Sequence, residues 1–178
     1  MHAEQRLVEG NPKSPVRVVI YEDLQCSDCA NFRKMMDEHL LPRYGAKVAF
    51  EHYDFPLVKH DWARPAAVAA RHFEKTSPEL AVKFRRHLLA DLKQITAETF
   101  PLRLREFAKA NQADAVKAIG ALNDAELNKL VEEDYQDGVA RGVGKTPTVL
   151  VNGEPFIEKF TLEEISKAME SAILEAKP

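Results

Sequence analysis

Alternation between apolar and polar positions divides the first third of the chain into three predicted elements. Residues 16–21 are β-branched or apolar on both faces, as in a central strand covered on two sides. From 27 to 41 apolar side chains recur at helical spacing, and Pro42 is expected to end that helix. Residues 47–54 alternate in character and predict a second strand. Together these segments predict a β-α-β unit with parallel strands.

The middle of the chain, from about 62 to 141, shows helical periods and no convincing strand. Breaks between helices are expected at Ser77-Pro78, at 99–101 and at Asn123-Asp124. Ser77 is a suitable N-cap for a helix that begins with Pro78, and Asn123 or Asp124 is suitable for a later helix. The segment therefore predicts an all-helical block.

Strand character returns in the last part of the chain. Residues 148–151 are followed by Asn152-Gly153, a dipeptide typical of two-residue hairpin turns, and by a second short strand at 154–157. Thr161-x-x-Glu164 is a capping box before the apolar positions of a last helix. The predicted order is β-α-β, helices, β-β-α, which is an α/β arrangement.

Composition and charge exclude several functions. The 178 residues carry 25 Lys and Arg against 28 Asp and Glu, a formal net charge of −3. This balance argues against a nucleic-acid partner, because a sequence-independent binder needs a basic face. No apolar run approaches the roughly 18 residues of a membrane span, and residues 1–14 lack the apolar middle of a signal peptide. A chain of this length needs no cross-links to hold a core, so its two cysteines call for a chemical role.

The motif Cys26-Ser27-Asp28-Cys29 stands where the first predicted strand gives way to the first helix. A thiol at a helix N-terminus faces unpaired N–H groups and the positive end of the helix dipole, which favour the thiolate. Cys26 is placed to be that thiol, and Cys29, one turn later, to attack a mixed disulfide on it. Two alternatives stay open: small buried residues, or half of a zinc site, although no histidine pair has the usual spacing.

A second candidate feature is Thr146-Pro147, immediately before the strand predicted at 148–151. A proline at the start of a strand cannot donate a hydrogen bond to the neighbouring strand. Such a proline is usually explained by a sheet edge, a bulge or a turn with a cis peptide bond. A proline that simply leads into a strand accounts for the same pattern.

Four motifs in this order resemble the DsbA-like family of thiol-disulfide oxidoreductases over nearly the whole chain. They are Gly10-Asn11-Pro12-x-x-Pro15-Val16, Asp23-Leu24-Gln25-Cys26-x-x-Cys29, Asp54-Phe55-Pro56-Leu57 with His60, and Gly142-Val143-Gly144-Lys145-Thr146-Pro147-Thr148 with Val151-Asn152-Gly153. The resemblance implies an α/β, thioredoxin-like fold with an inserted all-helical domain. We expect the thioredoxin-like domain at 14–60 and 140–178 and the helical insertion at 61–139.

The resemblance also implies roles for the site residues. Cys26 and Cys29 are the redox pair, Pro147 is cis and lies against them, and the backbone of Thr146 hydrogen-bonds an extended substrate strand with low sequence specificity. The substrates are proteins that contain thiols or disulfides, and an unidentified redox partner regenerates the pair. No metal or organic cofactor is implied, and we expect a monomer without membrane insertion.

Family members mostly work outside the cytoplasm of bacteria, so we expect a periplasmic or other extracytoplasmic location. The polar start at Met1-His2 then stands in place of a signal peptide, and a cytoplasmic location stays open. A disulfide isomerase or reductase is the enzymatic alternative, because Thr146 is typical of isomerase-type relatives. A peptide-binding or metal-binding module with a structural or sensory cysteine pair is the non-enzymatic alternative.

Two positions depart from the family pattern. Ile20 stands where many members place a buried carboxylate, six residues before the first cysteine. Glu22 or Asp23 substitutes for it through water or, as the favoured interpretation, both are solvated or turn residues. Asp28, beside Ser27, replaces a basic or neutral polar residue, and its charge should oppose the thiolate of the first cysteine. We therefore predict a pair less oxidising than the strongest DsbA proteins.

The remaining features are weaker. Residues 138–146 resemble a phosphate-binding loop, but Val139 stands where the motif needs glycine, and the order is helix then strand. His60 and Trp62 either border the site or are a surface histidine and a core aromatic. A basic cluster in the helical block is interpreted as a solvated helix face, with partner docking as the alternative. It consists of Lys83, Arg85, Arg86 and His87.

Overall fold

Five strands form a single sheet in the computed structural model, which describes residues 6–176, so that Met1 and His2 lie outside it. The strands are β1 (Val8–Gly10), β2 (Arg17–Glu22), β3 (Ala49–Asp54), β4 (Thr148–Val151) and β5 (Glu154–Ile157). Their order across the sheet is β1-β3-β2-β4-β5, with β2 parallel to β3 and the other neighbours antiparallel. β2 to β5 confirm predicted segments. The sequence pattern does not predict β1, because three residues are too few to show an alternation.

Helices account for most of the remaining described residues. Their bounds are α1 (Ser27–Met35), α2 (Leu41–Tyr44), α3 (Ala63–Thr76), α4 (Pro78–Ala90), α5 (Phe100–Ala110), α6 (Ala115–Gly120), α7 (Ala125–Ala140) and α8 (Leu162–Glu175). α1 and α2 connect the parallel strands β2 and β3, which confirms the β-α-β unit. α3 to α7, called the helical block below, lie between β3 and β4. The fold is thus the predicted α/β, thioredoxin-like fold with a helical insertion, and the domain limits given above stay a prediction.

Several predicted helix caps form hydrogen bonds. The Ser77 hydroxyl oxygen accepts an N–H group of the first turn of α4, and Asp124, not Asn123, does the same for α7. Thr161 and Glu164 make both hydrogen bonds of the capping box at the start of α8. These local signals therefore set where the helices begin.

Pro42 does not end the first helix, contrary to the prediction. After α1 the chain makes a π-helical turn at Met36–Leu40 and continues as α2, in which Pro42 occupies the first turn. A proline clashes with the carbonyl group four residues earlier in a regular α-helix, and it lacks the N–H that would bond there. The wider π turn changes the hydrogen-bonding partner ahead of the proline, so the helix continues to Tyr44.

Apolar side chains form two main clusters. One packs β2, β3 and β4 against α1, α2 and α8, around residues such as Ile20 and Phe50 that have no exposed surface. The other fills the helical block and includes Leu24, Cys26 and Cys29. The candidate cysteines therefore lie where the sheet-containing part of the protein meets the helical block.

Charged side chains also meet inside the protein, where β2 and β3 end beside the helical block. We call this group the buried ionic network; its members are Glu9, Glu22, His52, Asp54, Arg71, Arg85 and Asp134. Arg85 of α4 lies 3.0 Å from a carboxylate oxygen of Glu22 and 3.0 Å from one of Asp54. Arg71 of α3 lies 2.6 Å from the second oxygen of Asp54 and also pairs with Asp134 of α7. The network joins three strands, β1, β2 and β3, to three helices.

The interpretation of the basic cluster as a solvated face is wrong for Arg85, which is 1% exposed. Its guanidinium group neutralises two carboxylates that belong to strands distant in the sequence, and helical spacing alone cannot reveal them. Arg86 lies on the outer face and bonds Asp37 at 2.7 and 2.9 Å, while Lys83 is exposed.

His52 extends the buried ionic network from β3 toward β1. Its Nδ1 lies 2.8 Å from Glu22, and its Nε2 lies 2.9 Å from Glu9. Burial alone would lower the pKa of His52, but the two carboxylates outweigh it and raise the pKa to about 9. Burial alone would raise the pKa of Glu22, but His52 and Arg85 hold it below its ordinary value. At neutral pH the imidazole is therefore a buried cation between two anions.

Replacing Arg85 by Met should destabilise the protein by about 3–5 kcal/mol, because it leaves Glu22 and Asp54 buried with fewer cationic partners. Lys83→Met, an exposed position on the same helix, should change stability by less than about 0.5 kcal/mol. Urea unfolding of both variants measures the difference. Equal free energies of unfolding for the two variants would show that Arg85 does not hold the network.

The close packing of α7 on the sheet depends on Gly138. A Cβ added there would lie 2.6 Å from two ring carbons of Phe55 and 3.1 Å from the ring of Tyr21. We expect Gly138→Ala to cost about 1–3 kcal/mol, because a buried ring must move. At Gly120 a Cβ meets nothing within 4 Å, so Gly120→Ala should be neutral or stabilise by up to about 1 kcal/mol. Thermal or urea unfolding that ranks the two variants in the opposite order would contradict this packing.

Candidate active site

The chain leaves β2 and enters α1 at Cys26, whose extended backbone (φ −89°, ψ 126°) makes it the N-cap residue. Cys26 is 8% exposed, whereas Cys29, one turn later, is 1% exposed. Both thiols are free. The Sγ atom of Cys29 accepts the backbone N–H of Asp23 at 3.4 Å. The second sulfur therefore lies against the same loop that leads to the first.

The two sulfurs differ in acidity. A hydrogen bond with Cys29 is the main cause that lowers the pKa of Cys26 to about 6; burial opposes it, and the backbone N–H groups of Cys29 and Asp28 add to the lowering. These N–H groups belong to the first turn of α1, where the helix dipole also favours an anion. Burial raises the pKa of Cys29 well above its ordinary value, and Cys26 and the charge of Glu22 raise it further.

The loop before β4 brings Thr146 and Pro147 to the first sulfur. The Thr146–Pro147 peptide bond is cis. The Cys26 thiol donates to the carbonyl oxygen of Thr146 at 3.4 Å. Within the loop, the Thr148 hydroxyl donates to the carbonyl oxygen of Lys145 at 2.7 Å. The two cysteines and the Thr-Pro pair singled out in the sequence are thus close together in the structure.

Glu22 and Asp23 are buried, so the interpretation of both as solvated residues is wrong, whereas Asp23 is a turn residue, because its carbonyl oxygen accepts the Cys26 N–H at 3.1 Å. Glu22 is 5% exposed and belongs to the buried ionic network, and Asp23 is 1% exposed. The Asp23 carboxylate accepts the N–H groups of Gln25 and Leu57, each at 2.7 Å, and lies 2.8 Å from Nδ1 of His60. Asp23 therefore ties the loop that carries the first cysteine to the loop after β3.

The residues between the cysteines lie at the surface of the site. Ser27 is exposed and Asp28 is half-buried. Asp28 forms no ion pair with any residue from 6 to 176. Its backbone N–H stabilises the Cys26 thiolate while its carboxylate carries a like charge, and these two effects act in opposite directions. Ile20, where the family often has a carboxylate, is fully buried among apolar side chains.

His60 and Trp62 have different places. Trp62 is a core aromatic, 2% exposed, which stacks on Phe100 with ring centroids 5.9 Å apart. It belongs to the same apolar cluster as the two cysteines. His60 is partly exposed and borders the site, where Asp23 holds its ring. Gln25 fastens this side of the site, because its side chain bonds the Trp62 N–H at 2.9 Å.

A groove of about 690 Å³ opens at Cys26, and we call it the active-site groove. Three loops form it: residues 57–60 after β3, the turn at Leu92–Gln94 after α4, and residues 144–146 before β4. Sequence reasoning missed Lys59 and Lys93 in this groove. No local pattern marks them, because each lies on a loop that only the fold brings to the cysteine.

Within residues 6–176, no three side chains of the His, Cys, Asp or Glu type are grouped as ligands for a metal ion. The helices of this part of the chain are all too short or too polar to cross a membrane.

Comparison with known proteins places this geometry among thioredoxin-related proteins. Residues 2–171 match the protein family described as Thioredoxin. A curated relative, the Na(+)/H(+) antiporter NhaA 3 of Salinispora tropica, is 26% identical over 170 residues, which is 96% of this chain. The chain spans 25% of the length of that protein.

Two solved structures share the fold along almost the entire chain. Oxidised BdbD from Bacillus subtilis superposes with a TM-score of 0.80 at 22% identity, covering 96% of this chain and 94% of the other. Wolbachia pipientis alpha-DsbA1 superposes with a TM-score of 0.82 at 16% identity, covering 96% and 92%. The chain therefore belongs to the thioredoxin family, and its fold is that of the DsbA-type proteins within it.

Proposed function

We propose that the protein is a thiol-disulfide oxidoreductase that exchanges disulfides with the cysteines of other proteins through Cys26 and Cys29. The unequal acidity of the two sulfurs carries this proposal. Cys26 opens on a groove and has a pKa of about 6, whereas burial holds the pKa of Cys29 above its ordinary value. Membership of the thioredoxin family and a fold shared with DsbA-type proteins support it.

In the oxidising direction, a substrate thiolate attacks Sγ of Cys26 in the Cys26–Cys29 disulfide. The bond between the two enzyme sulfurs breaks, and Cys29 leaves and takes up a proton, which its raised pKa favours. A second thiolate of the substrate then attacks the substrate sulfur of the mixed disulfide, and Cys26 leaves as a thiolate. The substrate loses two electrons, the cysteine pair gains them, and a redox partner must remove them before the next cycle.

Thr146 and Pro147 form the proposed platform for the substrate. An extended segment that pairs with the backbone of this loop brings its cysteine to Cys26, whose sulfur lies 3.4 Å from the Thr146 carbonyl oxygen. Recognition through the main chain accepts many sequences. Substrates with reduced or wrongly paired cysteines, in segments not yet folded, fit such a site.

The pKa of Cys26 sets the proposed direction of the reaction. A more acidic first cysteine makes a stronger oxidant, because its thiolate stabilises the reduced pair. The known range runs from a pKa of about 3.5 in the strong oxidant DsbA to about 7 in thioredoxin. A value of about 6 supports an oxidase weaker than the strongest DsbA proteins. Ser27 and Asp28 are the proposed modulators of this value.

The remaining parts of the proposal follow from the resemblance to DsbA-type proteins. We place the protein in the periplasm or another extracytoplasmic compartment, where disulfides persist. By the same resemblance we propose a monomer.

The redox potential of the Cys26–Cys29 pair, measured against glutathione after thiol blocking, tests the proposed direction. We expect a value between about −120 mV, as in DsbA, and about −270 mV, as in thioredoxin. A value near about −120 mV would show that the charge of Asp28 opposes the Cys26 thiolate less than proposed. A value near about −270 mV would indicate a reductase. If no reversible disulfide formed at all, the protein would be a binding module rather than an oxidoreductase.

Replacement of one cysteine at a time should separate the two roles. Cys29→Ser should accumulate a mixed disulfide with a peptide supplied as its disulfide-linked dimer: the Cys26 thiolate attacks the peptide disulfide, one peptide leaves as a thiolate, and nothing resolves the bond to Cys26. Cys26→Ser should form little, because Cys29 is buried and its pKa is raised. Mass spectrometry of the intact protein measures both adducts. An equal yield from the two variants would contradict the assignment of the nucleophile.

Removal of the Asp28 charge should make Cys26 more acidic. We expect Asp28→Asn to lower the pKa of Cys26 by up to about one unit, because the backbone N–H groups remain and the like charge is gone. The thiolate absorbance of the Cys29→Ser background, recorded against pH, gives this pKa. Glu38→Gln, in the π turn after α1, serves as a control that should leave it unchanged. A rise after Asp28→Asn would show that the carboxylate acts through another group.

A further inference from the structure

The charges of the active-site groove are unevenly paired. Lys145 is bonded to Glu158 at 2.8 Å, so these two lining residues largely neutralise each other. Lys59 and Lys93 also line the groove, are exposed, and form no ion pair with any residue from 6 to 176. Asp28, at the first turn of α1, is the unpaired acidic residue of the lining.

The two free lysines come from loops other than the loop of Thr146, and the part of the groove that these two loops line is called the lysine side. Lys59 belongs to the loop after β3, and Lys93 to the turn after α4. Apolar side chains accompany them, including Val58, which is 91% exposed. The lysine side therefore offers apolar surface with two uncompensated positive charges, although the whole chain carries a net charge of −3.

We propose that the lysine side of the active-site groove selects substrate segments whose cysteine is flanked by acidic residues. This inference rests on the proposed function, which supplies the reaction at Cys26. The occupant is an extended, cysteine-containing segment of another protein, held by its backbone at Thr146, with a carboxylate near Lys59 or Lys93. A segment with lysines at the same places meets like charges there.

Exposed charges of this kind act mainly on the rate of encounter, and salt screens them. The screening length is about 10 Å at 0.1 M salt and about 3 Å at 1 M salt. Complementary charges at the rim of a site raise the association rate more than they slow dissociation. The preference should therefore be largest at low ionic strength and should nearly vanish at high ionic strength.

The test uses three peptides with the same cysteine and the same apolar neighbours, flanked by Asp, Asn or Lys. The rate at which each forms a mixed disulfide with the oxidised protein is divided by its rate with bis(2-hydroxyethyl) disulfide, an uncharged reagent, which corrects for the intrinsic reactivity of each peptide thiol. At low salt the corrected rate should be about three- to tenfold higher for the Asp peptide than for the Lys peptide.

Two double variants separate the groove lysines from the overall charge. Lys59→Gln with Lys93→Gln should bring the Asp-to-Lys rate ratio close to one. Lys83→Gln with Lys109→Gln removes the same charge from exposed positions of α4 and α5 that do not line the groove, and it should leave the ratio unchanged.

Three outcomes would overturn the inference. Corrected rates equal within a factor of two for the three peptides would show no charge selection. A ratio that persists in the Lys59→Gln, Lys93→Gln variant would place the selection elsewhere. If no peptide of any charge reacted at Cys26 although all of them reacted with the uncharged disulfide, the proposed function itself would fail, which differs from equal, measurable rates.

Discussion

Glu22 and Asp54 are the last residues of the parallel strands β2 and β3, and both carboxylates are buried. Their charges would be costly without partners, and Arg85 of α4 lies between them at 3.0 Å from each. Since the guanidinium group comes from the helical block, neutralising the strand ends also fixes the block on the sheet. Arg71 continues this connection to Asp134 of α7.

The same arrangement gives the two sulfurs different surroundings. The residue after Glu22 is Asp23, whose N–H bonds the buried sulfur of Cys29 and whose carboxylate holds the loop after β3. Cys26 lies beyond this loop, at the start of α1 and at the mouth of the groove. The buried ionic network thus supports the loop from Asp23 to Cys26. The surroundings of the two sulfurs favour opposite protonation states, the thiolate at Cys26 and the thiol at Cys29.

Local signals made much of the fold and the centre of the site predictable. The Cys26 and Cys29 motif at a strand-to-helix junction, the Thr146-Pro147 step before a strand, and the helix caps each depend on neighbouring residues. Features that need distant partners could not be predicted in this way. The pattern of its own helix shows Arg85 only as a polar position. Its role as a buried cation depends on Glu22 and Asp54, which are distant in the sequence. Lys59 and Lys93 likewise line the same groove only once the chain has folded.

The two outer strands of the sheet offer little backbone for pairing with another chain. A free strand edge with unpaired N–H and C=O groups is a template for aggregation. β1 is only three residues long, and β5 contains Pro155, which has no N–H to offer a neighbour. Neither edge can extend the sheet far, so another extended chain finds few places along this sheet to add a strand.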